Sequence, residues 1–375
     1  MRFALVGTRG IPARYGGFET FAEELSTRLA ARGHSITVYC RQRHPEPEYR
    51  GVHLLYLPTL RHKYLDTIVH TCLSTAHLTL SRFLWGKRGR KQDAVLYCNA
   101  ANAVFTWMPR AAGMPTALNV DGLERNRKKW NRAAKAWYRL SEWLATWMPN
   151  VVITDARRIA DYYRERYRRS SEMIPYGAET GAVASAAALA TLGLEPRQYF
   201  LYVSRMEPEN NALLVREAFE NLDAEKLDTP IKLALVGDAP YAADYIRRVR
   251  DTVDKRVVMP GAIYGEGYRE LGSHCFAYVH ATEVGGTHPA LIEAMGRGAL
   301  TLYLDTPENA EVAGGAALAF THENLGAVMQ QALDMPEAER ESWRALAIER
   351  VRSRYSWEAV TDAYEKLLTR LGSSS

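Results

Sequence analysis

The stretch RFALVGTRGIPARYGGFETFAEELSTRLAARGHSITVYC (residues 2–40) decides the fold, because it holds a complete strand, helix and second strand. Short apolar runs at 3–6 and 35–40 predict the strands, and apolar residues between them recur at spacings of three and four. This recurrence predicts a helix from about Phe18, with Gly33 at the left-handed position that ends many helices. Such a unit predicts parallel pairing of its two strands.

The same alternation continues along the chain. Short apolar runs predict further strands at Val52–Leu57, Ala94–Cys98, Thr116–Val120, Tyr199–Val203, Ile231–Val236, Val257–Val258, Phe276–His280, Leu300–Leu304 and Ala317–Phe320. We therefore predict an α/β protein of two Rossmann-like, doubly wound parallel-sheet domains. Because such sheets bind ligands beyond the carboxyl ends of their strands, we expect the two domains to face each other across a cleft.

A chain of 375 residues is too long for one ordinary core and suits two domains. An Ala-rich segment at 182–190 separates the two alternating regions. We therefore predict an N-terminal domain over residues 1–180 and a C-terminal domain over 195–355. Apolar residues at helical spacing predict a closing amphipathic helix over 356–375, which we expect to pack back toward the N-terminal domain.

The composition is that of a globular protein, with 47% hydrophobic and 24% charged residues. The four cysteines lie far apart, without the spacing of metal sites or disulfide frameworks: Cys40, Cys72, Cys98 and Cys275. Together with a first strand that starts at the N-terminus and the lack of a bilayer-length apolar run, this favours a cytoplasmic protein.

The net charge of +5 is unevenly spread, because Arg and Lys crowd residues 82–91 and 125–169. This pattern suits an anionic partner. We expect that partner to be a phosphorylated small molecule or a lipid surface, and not a nucleic acid.

The glycine-rich turn at 7–17 joins the first strand to the first helix. Such a turn lets backbone N–H groups approach a phosphate, although a tight turn without ligand explains it equally well. The dinucleotide pattern Gly-x-Gly-x-x-Gly is not present, and arginines at 41 and 43 follow the second strand where an acid is expected. A nicotinamide enzyme is therefore disfavoured, even though such arginines suit a 2′-phosphate.

The strongest local motif is GGTHPALIEAM (residues 285–295), which follows the strand ending near His280. Pro289 in a first helical turn after glycines predicts a helix N-terminus whose amides suit a diphosphate. Glu293 lies about one turn further on, where a carboxylate can accept the hydroxyls of a ribose. The alternative is an ion-paired or solvated helix glutamate.

Four motifs in this order resemble glycosyltransferase family 4 of the GT-B fold, and within it the bacterial rhamnosyltransferase-like subgroup. They are Gly7 to Pro12 with Tyr15 to Thr20, Asp121 to Glu124, Pro208 to Asn211, and Val284 to Met295. Together they span nearly the whole chain. The resemblance implies a nucleotide-diphosphate sugar donor held mainly by the C-terminal domain and an acceptor on the N-terminal domain.

The resemblance assigns roles to individual residues. Glu293 would hold the ribose, and Arg205 would neutralise the diphosphate, a task that suits a permanently charged, bidentate guanidinium. The alternative for Arg205 is a surface arginine near a turn. The remaining donor-binding residues that we assign are Gly16, Gly17, Asn211, Gly237, Ile263, Tyr264, Gly285, Gly286 and Thr287.

Two positions depart from the pattern of many family 4 enzymes. An acid often stands eight residues before the ribose-binding glutamate, but that place is Gly285 here, and the nearest acid is Glu283. A lysine often stands six residues after the arginine, but that place is Asn211 here. The rhamnosyltransferase-like subgroup shares both changes, so we interpret them as adaptation to a particular donor sugar.

The acceptor side is defined less sharply. Asp121 follows a predicted strand where many relatives carry a histidine facing the donor sugar, and it either orients a sugar hydroxyl or caps a turn with Gly122. We predict Asp121, Arg205 and Glu293 as catalytic residues. The residues that we assign to acceptor binding are Arg9, Tyr15, Glu19 and Glu124. Since no Asp-x-Asp motif is present, we expect neither a metal nor any other cofactor.

The segment 128–148 mixes tryptophans with basic residues. This mixture suits a helix on an anionic membrane, with Trp85 to Arg88 as a second contact. However, Trp130, Trp137, Leu140, Leu144 and Trp147 recur at helical spacing and also suit a core. We favour core packing for most of this stripe, with membrane contact by its basic rim as the alternative.

These expectations predict a retaining glycosyltransferase that moves L-rhamnose from dTDP-β-L-rhamnose to a polysaccharide or lipid-linked oligosaccharide in bacterial cell-surface glycan synthesis. A sugar-nucleotide epimerase of the same architecture would turn over the donor without an acceptor. A non-catalytic binding module would keep the fold without chemistry. Both remain alternatives from the sequence.

Overall fold

The computed structural model describes residues 1–13, 16–60, 62, 65–84, 91–126, 130–222 and 231–374. The contacts divide the chain into two compact units. Unit 1 comprises Met1–Tyr176 together with Trp357–Ser375, and unit 2 comprises Gly177–Ser356. Among the described helices, none combines the length and apolar character needed to cross a bilayer.

Unit 1 is built on a sheet with strands β1 Arg2–Val6, β2 Ser35–Cys40, β3 Glu48–Tyr49, β4 Val52–Tyr56, β5 Ala94–Cys98, β6 Thr116–Asn119, β7 Val151–Thr154 and β8 Glu172–Met173. In the described part of unit 1 these strands follow the order β3-β4-β2-β1-β5-β6-β7-β8. All neighbours pair in parallel except β3 with β4. Residues 3–6 of β1 are fully buried, as expected for a central strand covered on both faces.

The helices of unit 1 are α1 Gly17–Ala31, α2 Asp66–Leu84, α3 Trp107–Ala111, α4 Arg132–Ala145, α5 Arg157–Tyr167 and α14 Trp357–Ser373. As predicted, Gly33 has a positive φ of 87° just after α1. Helix α14 packs on α1 and β5, where the Phe21 and Tyr364 rings lie 5.2 Å apart. The chain therefore returns to its first unit at its end.

Unit 2 is built on strands β9 Tyr199–Val203, β10 Lys232–Val236, β11 Val257–Gly261, β12 Ala277–His280, β13 Leu300–Leu304 and β14 Leu318–Phe320. In the described part of unit 2 they form an all-parallel sheet in the order β11-β10-β9-β12-β13-β14. The helices are α6 Ala187–Thr191, α7 Ala212–Glu220, α8 Ala243–Arg250, α9 Gly265–His274, α10 Pro289–Gly296, α11 Pro307–Ala313, α12 Leu325–Asp334 and α13 Glu337–Arg354.

The structure contains strands that the sequence did not predict. Strands β3, β7 and β8 lie outside the predicted set, and β3 and β8 are too short, at two residues each, to show a periodic pattern.

The expected core stripe on α4 is wrong for Leu140 and Trp147, which are about half exposed, whereas Leu144 is buried. Helical spacing marks one side of a helix as apolar, but part of that side faces solvent here.

Candidate functional site

The sheet order of unit 2 marks the place where a ligand is expected. The order reverses between β9 and β12, which are neighbours in the sheet and leave it toward opposite sides. Parallel α/β sheets bind ligands in the crevice that opens at this point, beyond the carboxyl ends of the strands. The segments that follow β9 and β12 begin at Ser204 and Ala281, so the candidate site of unit 2 is built from these segments and their neighbours.

Arg205 follows β9 at this edge and is about one-third exposed. Its guanidinium lies 3.7 Å from the carboxylate of Glu207, which is buried and accepts a hydrogen bond from the Tyr241 hydroxyl at 2.6 Å. The Asn210 side chain donates to the Arg205 carbonyl at 2.7 Å. These contacts hold the backbone and the head group of Arg205 while leaving part of the guanidinium open to a ligand.

The segment after β12 leads into α10 through Gly285, Gly286 and Thr287. Pro289 occupies the first turn of α10, as predicted, and the His288 side chain does not cap the helix. Pro289 has no N–H, and the Leu291 and Ile292 amides donate to the His288 carbonyl at 3.0 and 3.3 Å, which leaves the Ala290 amide and the helix dipole to hold an anion. The geometry therefore suits a diphosphate at the start of α10.

His288 is held instead by Asn309, a buried residue of α11. The Asn309 amide nitrogen donates to the carbonyls of Thr282 and Leu304 at 3.0 and 2.9 Å. Its oxygen lies 2.6 Å from His288 Nδ1, and since that oxygen can only accept, Nδ1 of His288 donates. In the neutral imidazole, the Nε2 atom is then an acceptor.

Gly285 packs directly against this imidazole. A Cβ atom at residue 285 would lie 2.2 Å from His288 Nε2 and 2.7 Å from Cδ2, which is far inside any allowed contact. The acid that many family 4 enzymes carry at this place therefore has no room beside His288 in this chain.

Glu293 lies in the second turn of α10 and is half-buried. The hydroxyl of Tyr268, on α9, donates to Glu293 Oε2 at 2.6 Å. Burial, and then the neighbouring Glu293 charge, raise the pKa of Tyr268 well above its usual value, so its proton stays in place at neutral pH. Tyr268 orients the carboxylate that we assign to the ribose, and no sequence motif pointed to it.

Asn211 ties the segment after β9 to the segment after β12. Its amide donates to the carbonyl of Ala281 and to Glu283 Oε1, both at 2.9 Å. Glu283 also accepts a hydrogen bond from His322 Nε2 at 2.9 Å. The amide nitrogen of Asn211 thus connects the two segments that form the site. Glu283, the nearest acid to residue 285, is hydrogen-bonded to Asn211 and His322.

The other donor residues assigned in unit 2 lie at the same edge of its sheet. Gly237 follows β10 at φ 145°, and a Cβ atom there would lie 1.8 Å from the Ser204 carbonyl oxygen, so only glycine fits. Ile263 and Tyr264 follow β11, and Tyr264 is about half exposed at the start of α9.

His280, at the end of β12, is a second residue that sequence reasoning missed. It is buried, its ring centroid lies 5.0 Å from that of His288, and its Nε2 atom has no hydrogen-bond partner in the described part of the chain. Burial, and then the nearby His288, hold the pKa of His280 well below its usual value. It therefore stays neutral beneath the start of α10.

In unit 1 the turn after β1 is closed by the chain's own carboxylates. The Arg9 amide donates to Glu19 Oε1 at 3.1 Å, and the Ala13 amide donates to Glu23 Oε2 at 2.6 Å. Burial raises the pKa of the buried Glu19 carboxyl, and the amide and the charge of Arg9 partly offset this rise. These two amides are therefore already occupied, which favours unit 2 for the phosphate.

The remaining residues assigned to this turn have different surroundings. Gly16 and Gly17 begin α1, where Gly16 has φ 90° and approaches the Glu19 carboxylate. Arg9 is exposed. Tyr15 lies outside the described residues.

Asp121 lies beyond β6 in the left-handed region, with φ 59°. Its amide donates to Asn119 Oδ1 at 3.0 Å, and Asn119 donates to the Tyr364 hydroxyl at 2.9 Å. Aspartate adopts this conformation more readily than most residues other than glycine, so it suits a turn as well as a functional site. The negative charges of Glu19 and Asp121 both act on the buried thiol of Cys98 at the end of β5, which places them around the same sheet edge.

Glu124 lies in a 3-10 turn, and its carboxylate accepts a hydrogen bond from the Trp130 indole at 3.4 Å. The next residue, Arg125, pairs with the buried Glu142 of α4 and donates to the Tyr162 hydroxyl at 2.7 Å. Desolvation raises the pKa of Glu142 despite the Arg125 charge. This buried cluster anchors the segment that carries Asp121 and Glu124.

Two groups of assigned residues therefore emerge. Unit 2 places Arg205 after β9, and Gly285 to Thr287 and Glu293 after β12, the neighbouring strand in the sheet. Unit 1 places Glu19 and Asp121 near the carboxyl ends of β1 and β5. Within the described ranges, no group of three or more His, Cys, Asp or Glu side chains is arranged to hold a metal ion.

Family comparisons match both units. The family described as "Glycosyl transferase 4-like domain" matches residues 16–177, and the family described as "Glycosyl transferases group 1" matches residues 197–335. The chain belongs to the glycosyltransferases. The rhamnosyltransferase-like subgroup is not distinguished by these matches. No curated protein matches this glycosyltransferase at the level of sequence.

Solved structures share the fold of this glycosyltransferase over its whole length. Sucrose-phosphate synthase from Thermosynechococcus elongatus is 19% identical, with 100% of both chains covered and a TM-score of 0.79. HepE of Anabaena, in complex with UDP and glucose, is 13% identical over 99% of this chain and 100% of that chain, with a TM-score of 0.77. Trehalose-phosphate synthase (UDP-forming) from Burkholderia xenovorans, in complex with glucose-6-phosphate, is 12% identical over 98% and 100%, with a TM-score of 0.73. The predicted fold class, GT-B, is confirmed.

Proposed function

We propose that this glycosyltransferase transfers L-rhamnose from dTDP-β-L-rhamnose to a polysaccharide or lipid-linked oligosaccharide of the bacterial cell surface. The observation that carries the proposal is that Arg205 follows β9 while the Gly285 to Thr287 segment and Glu293 follow β12, the two neighbouring strands at the switch point of the unit 2 sheet. A cation and helix amides suit a diphosphate, and a carboxylate one turn further suits the ribose hydroxyls.

The donor class has support from the solved relatives. HepE is described with UDP and glucose, and the trehalose-phosphate synthase is described as UDP-forming. A nucleotide-diphosphate sugar is therefore the donor class that we propose. The choice of dTDP and rhamnose rests on the sequence resemblance of residues 285–295 to the rhamnosyltransferase-like subgroup.

We propose a retaining reaction in which an oxygen of the donor phosphate assists the incoming hydroxyl group. The bond between the sugar and the diphosphate breaks, the acceptor oxygen takes the sugar, and its proton passes to the departing diphosphate. Arg205, the Ala290 amide and the dipole of α10 stabilise the negative charge that develops on that leaving group. Starting from a β-linked donor, retention gives a β linkage.

The roles of the unit 1 residues follow from their charge. Asp121 is placed to orient a sugar hydroxyl or to stabilise an oxocarbenium-like centre. Arg9, Glu19 and Glu124 are assigned to the acceptor, as is Tyr15. We propose that the reaction needs no metal, and that it takes place in the cytoplasm, where the free thiols of all four cysteines would stay reduced.

Chromatography of the donor after incubation with the full chain tests the proposal. We expect dTDP-rhamnose to be consumed in the presence of a glycan acceptor, with dTDP released in equal amount, and to be consumed faster than UDP-glucose or a GDP-sugar. Conversion of the donor without acceptor into another nucleotide sugar would identify an epimerase. Binding without any turnover would identify a non-catalytic module.

Two substitutions in unit 2 separate transition-state stabilisation from ribose binding. Arg205→Ala removes the cation on the leaving group, so kcat should fall by about 10²–10³-fold. Tyr268→Phe removes the hydroxyl that orients Glu293, so KM for the donor should rise about tenfold with kcat nearly unchanged. Tyr199→Phe is the matched control, because that hydroxyl donates to a backbone carbonyl, Leu271 O, at 2.7 Å. Equal effects of Tyr268→Phe and Tyr199→Phe would contradict the ribose assignment.

A further inference from the structure

Helix α4 of unit 1 has an exposed side that carries large apolar and basic residues. Arg132, Ala136, Arg139, Leu140, Trp143 and Trp147 fall within about 100° of one another on a helical projection of α4 and its last turn, and all are exposed. The other side of the helix, including Tyr138 and Leu144, is buried. The two sides of α4 therefore differ in burial, and Trp143 lies on the exposed side whereas Tyr138 lies on the buried side.

Three tryptophans and a leucine form what we name the aromatic patch: Trp107, Leu140, Trp143 and Trp147, at 50%, 45%, 51% and 50% exposure. The rings of Trp143 and Trp147 lie 5.4 Å apart. Arg110 of α3 donates to the carbonyls of Trp147 and Met148 at 3.0 and 3.1 Å, which joins α3 to the end of α4. Trp107 and Arg110 are three residues apart on α3 and so lie on neighbouring positions of its surface.

The exposed charges of α3 and α4 have one sign. Helices α3 and α4 carry Arg110, Arg132, Lys135 and Arg139, and their single acid is Glu142. Glu142 is buried and held by Arg125, so it does not balance the charges at the surface.

Some exposed arginines on other helices form ion pairs with an acid of the same helix. Ion pairs at a spacing of three residues neutralise Arg164 on α5, Arg247 on α8, Arg269 on α9 and Arg352 on α13. Within the described residues, Arg132 and Arg139 have no such pair. The charges of Arg132 and Arg139 are therefore not neutralised by an ion pair within their own helix.

We propose that the aromatic patch and the surrounding arginines bind the surface of an anionic lipid bilayer. Tryptophan suits this position because its ring is apolar and its N–H is polar, and it is enriched at the level of lipid headgroups. Arginines beside it attract anionic headgroups. A protein partner would need acidic residues facing the arginines, and a second copy of this chain would bring two basic surfaces together.

The inference goes beyond the proposed transfer reaction and does not depend on its donor. Where the proposed acceptor is lipid-linked, the same surface would bring the enzyme to the membrane that holds it. In the sequence, the segment with Asp121 and Glu124 immediately precedes α4, so the acceptor residues and the lipid-binding surface belong to one unit.

Flotation of the full chain with vesicles tests the proposal without donor or acceptor. We expect binding to vesicles of phosphatidylcholine with phosphatidylglycerol, and little binding to phosphatidylcholine alone. Raising the ionic strength from about 0.1 M to 1 M should release the protein, because the Debye length falls from about 10 Å to about 3 Å. Equal binding to both vesicle types would overturn the anionic-lipid assignment.

Substitutions then locate the surface. Arg132→Gln with Arg139→Gln should weaken binding about 30-fold, and Trp143→Ala with Trp147→Ala about tenfold or more. The matched controls are Arg247→Gln with Arg352→Gln, which removes two exposed charges from unit 2, and Leu346→Ala, which removes an apolar side chain that is 53% exposed on α13. Both controls should bind as the unaltered protein does.

Two results would overturn the location. One is vesicle binding that is unchanged in both patch variants while their thermal unfolding matches that of the unaltered protein. The other is a dimer in analytical ultracentrifugation that Trp143→Ala with Trp147→Ala converts to a monomer, which would identify the patch as a contact between two copies of this chain.

Discussion

Gly285 and His288 decide which side chains the segment before α10 can carry. The imidazole is fixed by Asn309 and fills the space beside Gly285. A side chain at residue 285 and the imidazole at residue 288 therefore exclude each other. This exclusion gives a physical reason for the glycine where many relatives have an acid.

Gly285→Ala should displace His288 and distort the start of α10, so we expect the affinity for a nucleotide-diphosphate sugar to fall about tenfold or more. Gly285→Ala combined with His288→Ala should recover part of the loss, since the clash is gone. Gly272→Ala is the control, because a Cβ atom there meets only Arg297 Cγ at 3.9 Å. Isothermal titration checks the series, and a double variant that binds no better than Gly285→Ala would contradict the steric explanation.

Two elements at opposite ends of the sequence, α1 and α14, are joined by a network of charges. Arg32 contacts Glu358, Asp362 and Glu365 at 3.0, 2.6 and 2.6 Å. Glu365 also pairs with His34 at 2.7 Å. Hydrogen bonds from His34 and then Arg32 hold the pKa of Glu365 below its usual value.

A carboxylate whose pKa is lower in the folded state stabilises that state above its unfolded pKa and stops doing so as the pH falls through its folded pKa. Glu365→Gln should therefore lower the free energy of unfolding at pH 7. We expect a decrease of only about 0.5–1 kcal/mol, because the Glu365 carboxylate is partly exposed and its charge is screened by solvent. The difference from the unaltered protein should shrink as the pH falls below about 4.5, the ordinary value for a glutamate.

Urea unfolding at several pH values measures this difference. Glu349→Gln is the control, because its ion pair with Arg352 is exposed on both sides, and we expect a change within about 0.5 kcal/mol. A penalty for Glu365→Gln that stays constant from pH 7 to below pH 4 would show that the charge of Glu365 is not its cause.

At the scale of the whole molecule, the two units differ in how many segments of the chain they contain. Unit 2 is one continuous segment, Gly177–Ser356, whereas unit 1 needs both ends of the chain. Helix α14 buries five large side chains in unit 1: Trp357, Val360, Tyr364, Leu367 and Leu368. At about 1.5–3 kcal/mol each, their burial is comparable with the net stability of a whole domain, about 5–15 kcal/mol.

We therefore expect Gly177–Ser356 to fold when expressed alone, with a cooperative thermal transition and retained affinity for a nucleoside diphosphate. A fragment of residues 1–176, which lacks α14, should not unfold cooperatively. Circular dichroism and two-dimensional NMR of both fragments check this, with residues 1–176 joined to 357–375 by a glycine-serine linker as the control. Cooperative unfolding of residues 1–176 alone would contradict the role of α14.

The sequence by itself determined the two α/β domains, most strand positions, the proline-led start of α10 and the closing helix. These features depend on local patterns: apolar periodicity, glycine where φ is positive, and proline in a first turn. It also pointed to Arg205 and Glu293 through their places in motifs, although their roles stay predictions.

Only the tertiary structure decided which residues meet. Tyr268 reaches Glu293 from 25 positions earlier, and Asn309 reaches His288 from 21 positions later. Leu140 and Trp147 follow an apolar spacing yet remain exposed. The physical reason is that periodicity reports which side of an element is apolar, whereas burial and partners depend on what the rest of the chain places against that side.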